Sequence, residues 1–310
     1  MVLTTINPSS FVIRSNGVLG ALEVSTFIGL VLYGVSLSQG YSYFSRRQDD
    51  RFSLKLLVSV ILLLETCHSF TTPIAIYQNT VTNWQEPEAN SYSIATNAVA
   101  EILITLLVQC YFVYRIYRLS SKRIWISFVS LALVFLRFFG GAVIAVETYL
   151  DVPNRPNGIS LVVRFSWLVT SALAIGGAAD VFIAMCMTYY LVKLSSPTNK
   201  ESTANIINRL IRWTLQTGLI TSLTSVSVII CFQAIKNMVW FGLYIILAKV
   251  YSNSLLASLN ARPLQQVQNN APKNFTAIQF QAPISISFRG VLADHCCEEP
   301  EWDKTRPSEA

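Results

Sequence analysis

The stretch LLLETCHSF, residues 62–70, places a carboxylate and an imidazole among leucines, with no loop residue near either. Glu65 and His68 are three residues apart, so they share one face if the segment is helical. The surrounding residues, 54–77, are long and apolar enough for a helix that crosses a bilayer. Such a helix keeps its ionisable groups away from lipid, so this stretch predicts a bundle with a polar interior.

The composition of the whole chain agrees with a membrane fold. Of its 310 residues, 52% are hydrophobic and 13% are charged, and the mean hydropathy is +0.46. Soluble domains carry about 25% charged residues. Although the net charge is +6, the basic residues lie in short loops between apolar stretches rather than on one soluble face, so nucleic acid is not an expected partner.

Apolar stretches of spanning length occur seven times along the chain. They are predicted as helices at 18–44, 54–77, 93–117, 124–148, 161–192, 210–233 and 239–259. The first has no basic segment or cleavage site before it, which favours an anchor over a signal peptide. The expected fold is an all-α integral membrane bundle of seven transmembrane helices.

Lysine and arginine in the helix flanks predict the orientation. One side of the membrane collects Arg46, Arg47, Arg51, Lys55, Arg115, Arg118, Lys122, Arg123, Lys193, Lys200, Arg209, Arg212 and Arg262. The other side has Arg14, Arg155, Arg164 and Lys236. By the positive-inside rule the N-terminus is outside and the C-terminus is cytoplasmic, and the plasma membrane is the expected location.

Three regions follow from this topology. Residues 1–17 form an exterior N-terminal arm, residues 18–262 form the seven-helix domain, and residues 263–310 form a polar, proline-marked cytoplasmic tail that is expected to be disordered. No cysteine lies in an exterior loop, so an extracellular disulfide framework is not expected.

Five ionisable residues form a predicted polar cluster within the membrane: Glu65, His68, Arg137, Asp180 and Lys249. A single charge at mid-bilayer costs about 2.5–3.5 kcal/mol on insertion scales, and pairing recovers most of that cost. We therefore expect Glu65 and His68 to face the bundle interior, with Glu65 near Arg137 or Lys249. The cluster either fixes helix register by mutual pairing or lines a cavity that holds a ligand, an ion or a proton.

A second set of polar residues is a candidate lining for such a cavity. Glu101 lies nearer the exterior end of the third helix, and the sixth helix carries threonines at gaps of three, four and three: Thr214, Thr217, Thr221 and Thr224. The alternative is close helix packing, with each hydroxyl bonded to the backbone of its own helix.

Several site chemistries lack the residues that they need. Zinc takes three or four ligands, but the chain has only two histidines. The Glu-x-x-His spacing of Glu65 and His68 lacks the second copy that di-iron bundles use. Lys249 suits a retinal linkage, but Ile245 stands where microbial retinal proteins carry Asp. No catalytic residues, metal or cofactor are predicted, and an enzyme is not expected.

Five segments resemble a known family. They are ETCH at 65–68, QCYFVYRIYRLS at 109–120, ADVFIAMCMTYYL at 179–191, INRLIRWTLQTGLITSL at 207–223 and KVYSNSLLASLNAR at 249–262. In these the chain resembles the basidiomycete multi-pass membrane proteins catalogued as domain of unknown function 6534. The resemblance implies a fungal source and a seven-helix membrane fold, and it carries no assigned activity and no established site residues.

The topology and the polar interior favour a receptor-like or sensing protein. Its ligand would be small or lipidic and would enter from the exterior, and the basic cytoplasmic loops would meet an acidic partner or anionic lipid. However, the Asn-Pro-x-x-Tyr element of G-protein-coupled receptors is missing from the last helix. The alternative is a transporter or channel that uses Glu65, Asp180 and Lys249 as an ion or proton relay.

Overall fold

Seven helices make up the part of the chain that the structure describes. This computed structural model describes residues 16–82, 91–120, 124–153, 164–194, 201–234 and 239–262. The helices are α1 (Asn16–Arg46), α2 (Phe52–Tyr77), α3 (Tyr92–Leu119), α4 (Ile124–Asp151), α5 (Ser166–Leu194), α6 (Glu201–Ala234) and α7 (Val239–Asn260). A single π-helical turn, Gln78–Thr82, extends α2. In α6 the side chains are described from Gly218 onward.

Six of these helices are long and apolar enough to cross a membrane: α1, α2, α3, α4, α5 and α7. The described side chains of α6 add a shorter apolar helix, Gly218–Ala234. The whole of α6 has 34 residues, or about 50 Å at the usual helical rise. The all-helical multi-pass architecture is thus as predicted, with six candidate spans among the seven helices.

Apart from the start of α6, the helix bounds agree with the predicted segments to within about five residues. The largest differences are at α6, which begins at Glu201 rather than at 210, and at α5, which begins at Ser166 rather than at 161. The predicted exterior arm lies outside the described residues apart from the first turn of α1. The predicted tail, 263–310, lies wholly outside them.

Consecutive helices pack side by side, and α7 packs against α1, which closes the ring. Two helices also reach across it: α3 contacts α5 and α7, and α2 contacts α7. As a result α7 is the most buried of the six candidate spans, and α3 and α5 follow. The polar residues carried by α3 and α7 are therefore directed into the interior of the bundle.

The outer surface of the bundle is apolar, which is the reverse of a soluble helical protein. Large hydrophobic side chains are exposed on the perimeter, among them Val31, Leu63, Phe70, Trp125, Trp167 and Leu223. Ionisable side chains such as Glu65, Glu101 and Lys249 are buried instead. A bilayer accepts this distribution because lipid tails solvate the apolar surface while the bundle satisfies its polar groups internally.

Candidate functional site

An ion pair between α2 and α7 is the most buried charged contact in the described residues. The Lys249 ammonium Nζ lies 2.6 Å from Glu65 Oε2. Both residues are essentially inaccessible, at 1% and 0% exposure. Of the two partners that the sequence left open for Glu65, the structure supplies Lys249 rather than Arg137.

Neighbouring hydroxyl groups complete this pair. Lys249 Nζ also donates to Ser69 Oγ at 2.6 Å, and Ser252 Oγ donates to Glu65 Oε1 at 2.5 Å. Ser69 is one turn after Glu65 on α2, and Ser252 is nearly one turn after Lys249 on α7. The Lys249 ammonium lies 5.4 Å from the centre of the Tyr33 ring of α1. Both oxygens of the carboxylate are thus bonded, which a buried ion pair needs if it is to offset its desolvation.

His68 faces the interior of the bundle one turn after Glu65. It is 1% exposed, and its backbone carbonyl accepts a hydrogen bond from the Thr72 hydroxyl. Its ring atom Nδ1 has no hydrogen-bond partner among the described residues. Glu65 and His68 therefore share a helix face, while the carboxylate oxygens bond to α7.

A second set of buried charges, here called the Arg137 network, links α3, α4, α5 and α7. Arg137 Nη1 on α4 donates to the Tyr251 hydroxyl at 2.6 Å, and Nη2 lies 3.4 Å from Glu101 Oε1. The other oxygen of Glu101 accepts from the Tyr244 hydroxyl at 2.5 Å. Thr105 donates to Glu101 Oε1 at 3.1 Å. Glu101 is thus an interior partner of Arg137.

The same network reaches Asp180 on α5 through Tyr251. The Tyr251 hydroxyl accepts from Arg137 and donates to Asp180 Oδ2. Gln109 Nε2 on α3 donates to Asp180 Oδ1 at 2.9 Å. The Gln109 carbonyl oxygen Oε1 has no partner in the described part of the chain. The carboxylates of Glu101 and Asp180 therefore lie on one hydrogen-bonded chain, which passes through the guanidinium group of Arg137.

Regular spacing on α3 and one glycine on α5 make this network possible. Glu101, Thr105 and Gln109 follow one another at intervals of four, which puts them on one stripe of the helix. A Cβ atom at position 176 would lie 2.7 Å from Arg137 Nη1. Gly176 therefore leaves the space that the guanidinium occupies, because any larger side chain would force Arg137 to move.

The two buried clusters differ in their charge balance. Glu65 and Lys249 form a neutral pair. In the Arg137 network, two carboxylates, Glu101 and Asp180, share one guanidinium, so the network carries an excess negative charge when both acids are ionised. An uncompensated charge in a bundle interior is costly, so this network favours uptake of one positive charge.

A small cavity lies beside the Asp180 end of the network, between α3, α5, α6 and α7. Its volume is about 30 Å³, room for one or two water-sized groups but not for an organic ligand, which needs roughly 300 Å³ or more. Its polar lining comes from Gln109, Asp180, Thr221, Tyr251 and Ser254. The rest of the lining, which includes Phe112, Ile183 and Met187, makes most of the cavity surface apolar, so by size it admits a water molecule but it is not a polar ion site.

The sequence left two roles open for the threonines of α6, which were cavity lining and close helix packing. The two threonines whose side chains are described differ in their roles. Thr221 is buried and lines the cavity, while its hydroxyl donates to Gly218 O at 3.1 Å. Thr224 is half-buried, does not line the cavity, and donates to Ile220 O at 2.8 Å. The side chains of Thr214 and Thr217 lie outside the described residues. Hydroxyl-to-backbone bonding is therefore present at both described threonines.

Four residues of the Arg137 network carry hydrogen bonds that sequence reasoning did not assign: Thr105, Gln109, Tyr244 and Tyr251. The signal for the tyrosines is their spacing, since seven residues separate them and place them on one face of α7. The signal for Gln109 is its interval of four from Thr105. No charge marked these positions, so the search for ionisable residues passed over them.

No metal centre is suggested by the arrangement of the usual ligands. Within the described ranges, no group of three or more His, Cys, Asp or Glu side chains could hold a metal ion. The four cysteines of the helices are free. The polar chemistry of the interior therefore rests on carboxylate, ammonium, guanidinium, phenol and amide groups.

A third charged cluster lies at one end of the bundle, outside the spanning segments. Arg262 Nη2 lies 2.5 Å from Asp50 Oδ2, and the Tyr43 hydroxyl donates to the same oxygen at 2.9 Å. Burial raises the pKa of Asp50, but the hydrogen bonds and the positive charge of Arg262 outweigh it and hold the pKa below its usual value. The contact ties the turn after α1 to the end of α7.

This cluster should make stability depend on pH. Because the folded-state pKa of Asp50 is lowered, its stabilisation is complete above the unfolded-state pKa, which is about 3.9, and is lost as pH falls through the folded-state pKa. We expect Asp50→Asn to remove about 1 kcal/mol near neutral pH and to lose less stability than the parent on acidification. Thermal unfolding in detergent across this pH range measures it. The exposed neighbour Asp49, changed to Asn, is the control, and equal acid dependence in all three proteins would contradict the assignment.

Residues 176–263 of the chain match the model of a family of unknown function, DUF6534. This segment begins at Gly176 and includes Asp180, Lys249 and Tyr251. The motifs of α2 and α3 lie outside the matched residues. No curated protein and no solved structure matches the chain. The similarity therefore supports the resemblance for α5 to α7 and brings no activity with it.

Proposed function

We propose that the protein is a receptor-like sensing membrane protein that acts by binding rather than by catalysis, and that its signal is a movement of α7. One observation carries this proposal: α7 takes part in both buried clusters. Lys249 and Ser252 bond to α2, while Tyr244 and Tyr251 bond to the Arg137 network. A small displacement of α7 changes the contacts of both clusters together. Helix α7 is therefore suited to switch between discrete positions in the bundle.

The rest of the proposal follows from the sequence. The N-terminus is exterior, all seven helices span the plasma membrane, and a small or lipidic ligand enters from the exterior side. Basic residues at the cytoplasmic ends, such as Arg118, meet an acidic partner or anionic lipid. In this conformation the cavity beside Asp180 is too small for an organic ligand, so such a ligand acts by selecting a second arrangement of the helices.

Distance measurements between spin labels test the movement of α7. The labels are placed at Arg118 on α3 and Ala257 on α7, in full-length protein whose native cysteines are replaced. The variant Glu65→Gln with Lys249→Met removes the contact between α2 and α7 without leaving a net charge. We expect a second distance population in this variant, displaced by about 2 Å or more. A single distance between the two labels, identical in the variant and in its labelled parent, would contradict the proposal.

A transporter or channel is the second candidate, and the excess acid of the Arg137 network favours it. Such a network can accept and release a proton or a cation. Proteoliposomes that contain a pH-sensitive dye distinguish the two classes. Proton flux above that of protein-free vesicles, abolished by Glu65→Gln but retained in Glu23→Gln, would replace the sensing proposal with a relay. Flux equal to that of empty vesicles would leave sensing as the better account.

A further inference from the structure

The Arg137 network is short of one positive charge and of one hydrogen-bond donor. Its two acids, Glu101 and Asp180, share the guanidinium of Arg137. The carbonyl Oε1 of Gln109 has no donor among the described residues. We propose that Asp180 binds a proton and is a neutral carboxylic acid at neutral pH, while Glu101 and Arg137 form the ion pair of the network. The proton site goes beyond the sensing role and does not depend on it.

Direct contact with Arg137 distinguishes the two acids. Glu101 Oε1 lies 3.4 Å from Arg137 Nη2, and the Glu101 carboxylate also accepts from two hydroxyl groups. Asp180 makes no ion pair of its own within the described part of the chain, and it is joined to the guanidinium through the Tyr251 hydroxyl. A buried acid without a base beside it takes a proton rather than stay charged. The proton therefore belongs to Asp180.

The charged groups on the neighbouring helices leave Asp180 without a second base. From α3 and α4 come Glu101 and Arg137, and from α7 comes the Tyr251 hydroxyl. Lys249, the base of α7, is held by the carboxylate of α2. The described side chains of α6 carry no charge. Within the described residues one guanidinium thus serves two acids, and one bound proton restores the balance.

The Gln109 amide is placed to hold a protonated carboxyl group. A carboxylic acid and an amide form a ring of two hydrogen bonds, in which the N–H and the acid O–H each donate to the carbonyl oxygen of the other group. The first bond is present, since Gln109 Nε2 donates to Asp180 Oδ1 at 2.9 Å. The acid proton supplies the second to Gln109 Oε1. The protonated Oδ2 keeps a lone pair for the Tyr251 hydroxyl.

The cavity beside Asp180 favours a proton over other occupants. A water molecule there would give the Gln109 carbonyl a donor but would leave the excess negative charge in place. A metal cation would need several oxygen ligands, whereas Phe112, Ile183 and Met187 make much of this lining apolar. A proton bound to the carboxyl group corrects the charge and the hydrogen bonding together, and it needs no polar cavity.

Infrared spectroscopy of the full-length protein in detergent at neutral pH detects the proton directly. A protonated carboxyl group has a carbonyl stretching band that carboxylates lack, and this band shifts in D₂O. We expect the band in the parent, shifted when the aspartate carboxyl carbons are labelled with ¹³C and unshifted when those of glutamate are. Asp180→Asn should remove the band. Asp49→Asn, the same change on an exposed residue, should keep it.

Unfolding in detergent at a series of pH values counts the same proton independently. The folded protein holds a proton that the unfolded chain releases, so this site makes the unfolding equilibrium constant rise about tenfold per pH unit around neutral pH. We expect Asp180→Asn to lack this part of the pH dependence and Asp49→Asn to keep it. Asparagine resembles a neutral aspartic acid in shape and hydrogen bonding. The Tm of Asp180→Asn at neutral pH should therefore stay close to that of the parent.

Three outcomes would overturn the proton site. Absence of the band from the parent at neutral pH would mean that Asp180 is ionised. A band that shifts with the glutamate label would put the proton on Glu101. Equal pH dependence of unfolding in Asp180→Asn and the parent would mean that Asp180 releases no proton on unfolding. The labelled parent decides the matter if Asp180→Asn does not fold. None of these outcomes bears on the spin-label distances, so the site and the sensing role fail separately.

Discussion

Glu65→Gln is expected to lower the free energy of unfolding by about 3–5 kcal/mol, because it leaves the Lys249 ammonium buried without its carboxylate. The loss comes from the unpaired charge rather than from the missing contact alone. Lys249 is 1% exposed, so solvent cannot replace the partner without opening the contact between α2 and α7. The expected result is a lower Tm in detergent and a lower yield of folded protein.

Removing the second charge should reverse part of that loss. In Glu65→Gln with Lys249→Met neither residue is charged, and an apolar replacement of a buried pair is often close to neutral. The control is Glu23→Gln, the same chemical change on an exposed residue of α1, which should leave the Tm within about 1 °C of the parent. A double variant as unstable as the single one would show that Lys249 does not depend on Glu65.

The sequence predicted that Glu65 has a buried partner but could not identify it. Mid-bilayer carboxylates are too costly to leave unpaired, and that argument needs only the position of the residue along its helix. Two bases at similar depth, Arg137 and Lys249, met the requirement equally well. The choice depends on which helices are neighbours, and periodicity along one helix does not carry that information.

The Arg137 network was harder to predict because it is held together by neutral groups. Glu101 was expected to be a cavity lining apart from the four central charges, yet it is the salt-bridge partner of Arg137. Tyr251 connects Arg137 to Asp180 through its hydroxyl. The four central charges counted from the sequence were balanced, with two acids and two bases. The contact between Arg137 and Glu101 adds a third acid to the same two bases.

The helices themselves were predictable because each apolar stretch is longer than a soluble helix needs. Their bounds follow hydropathy closely except at α6, which begins at Glu201 in a polar segment ahead of its apolar stretch. The all-helical multi-pass fold does not require knowledge of any contact. The order of helices around the ring also follows the order along the chain, since short connections join neighbours. The central position of α3 and α7 was not predictable in this way, because it arises from packing between helices distant in sequence.

Arg137→Met is expected to be the most damaging single substitution in the bundle, at about 5 kcal/mol or more, because it deprives two buried carboxylates of their base. Glu101 and Asp180 would then lie on a hydrogen-bonded chain with no positive charge. We expect little folded protein to be recovered in detergent. The control is Arg118→Met, which removes an exposed arginine from the end of α3 and should alter the Tm little.

The acids of this network should be individually less important than the base that they share. In Glu101→Gln, Arg137 keeps its hydrogen bond to Tyr251 and its indirect contact with Asp180, so we expect a loss of about 1–3 kcal/mol. Glu101→Gln added to Arg137→Met should recover only part of the loss, since Asp180 stays unpaired. Tm and yield of the three variants measure this asymmetry. If Glu101→Gln were as damaging as Arg137→Met, the two residues would form an independent pair, and Asp180 would not share the guanidinium with Glu101.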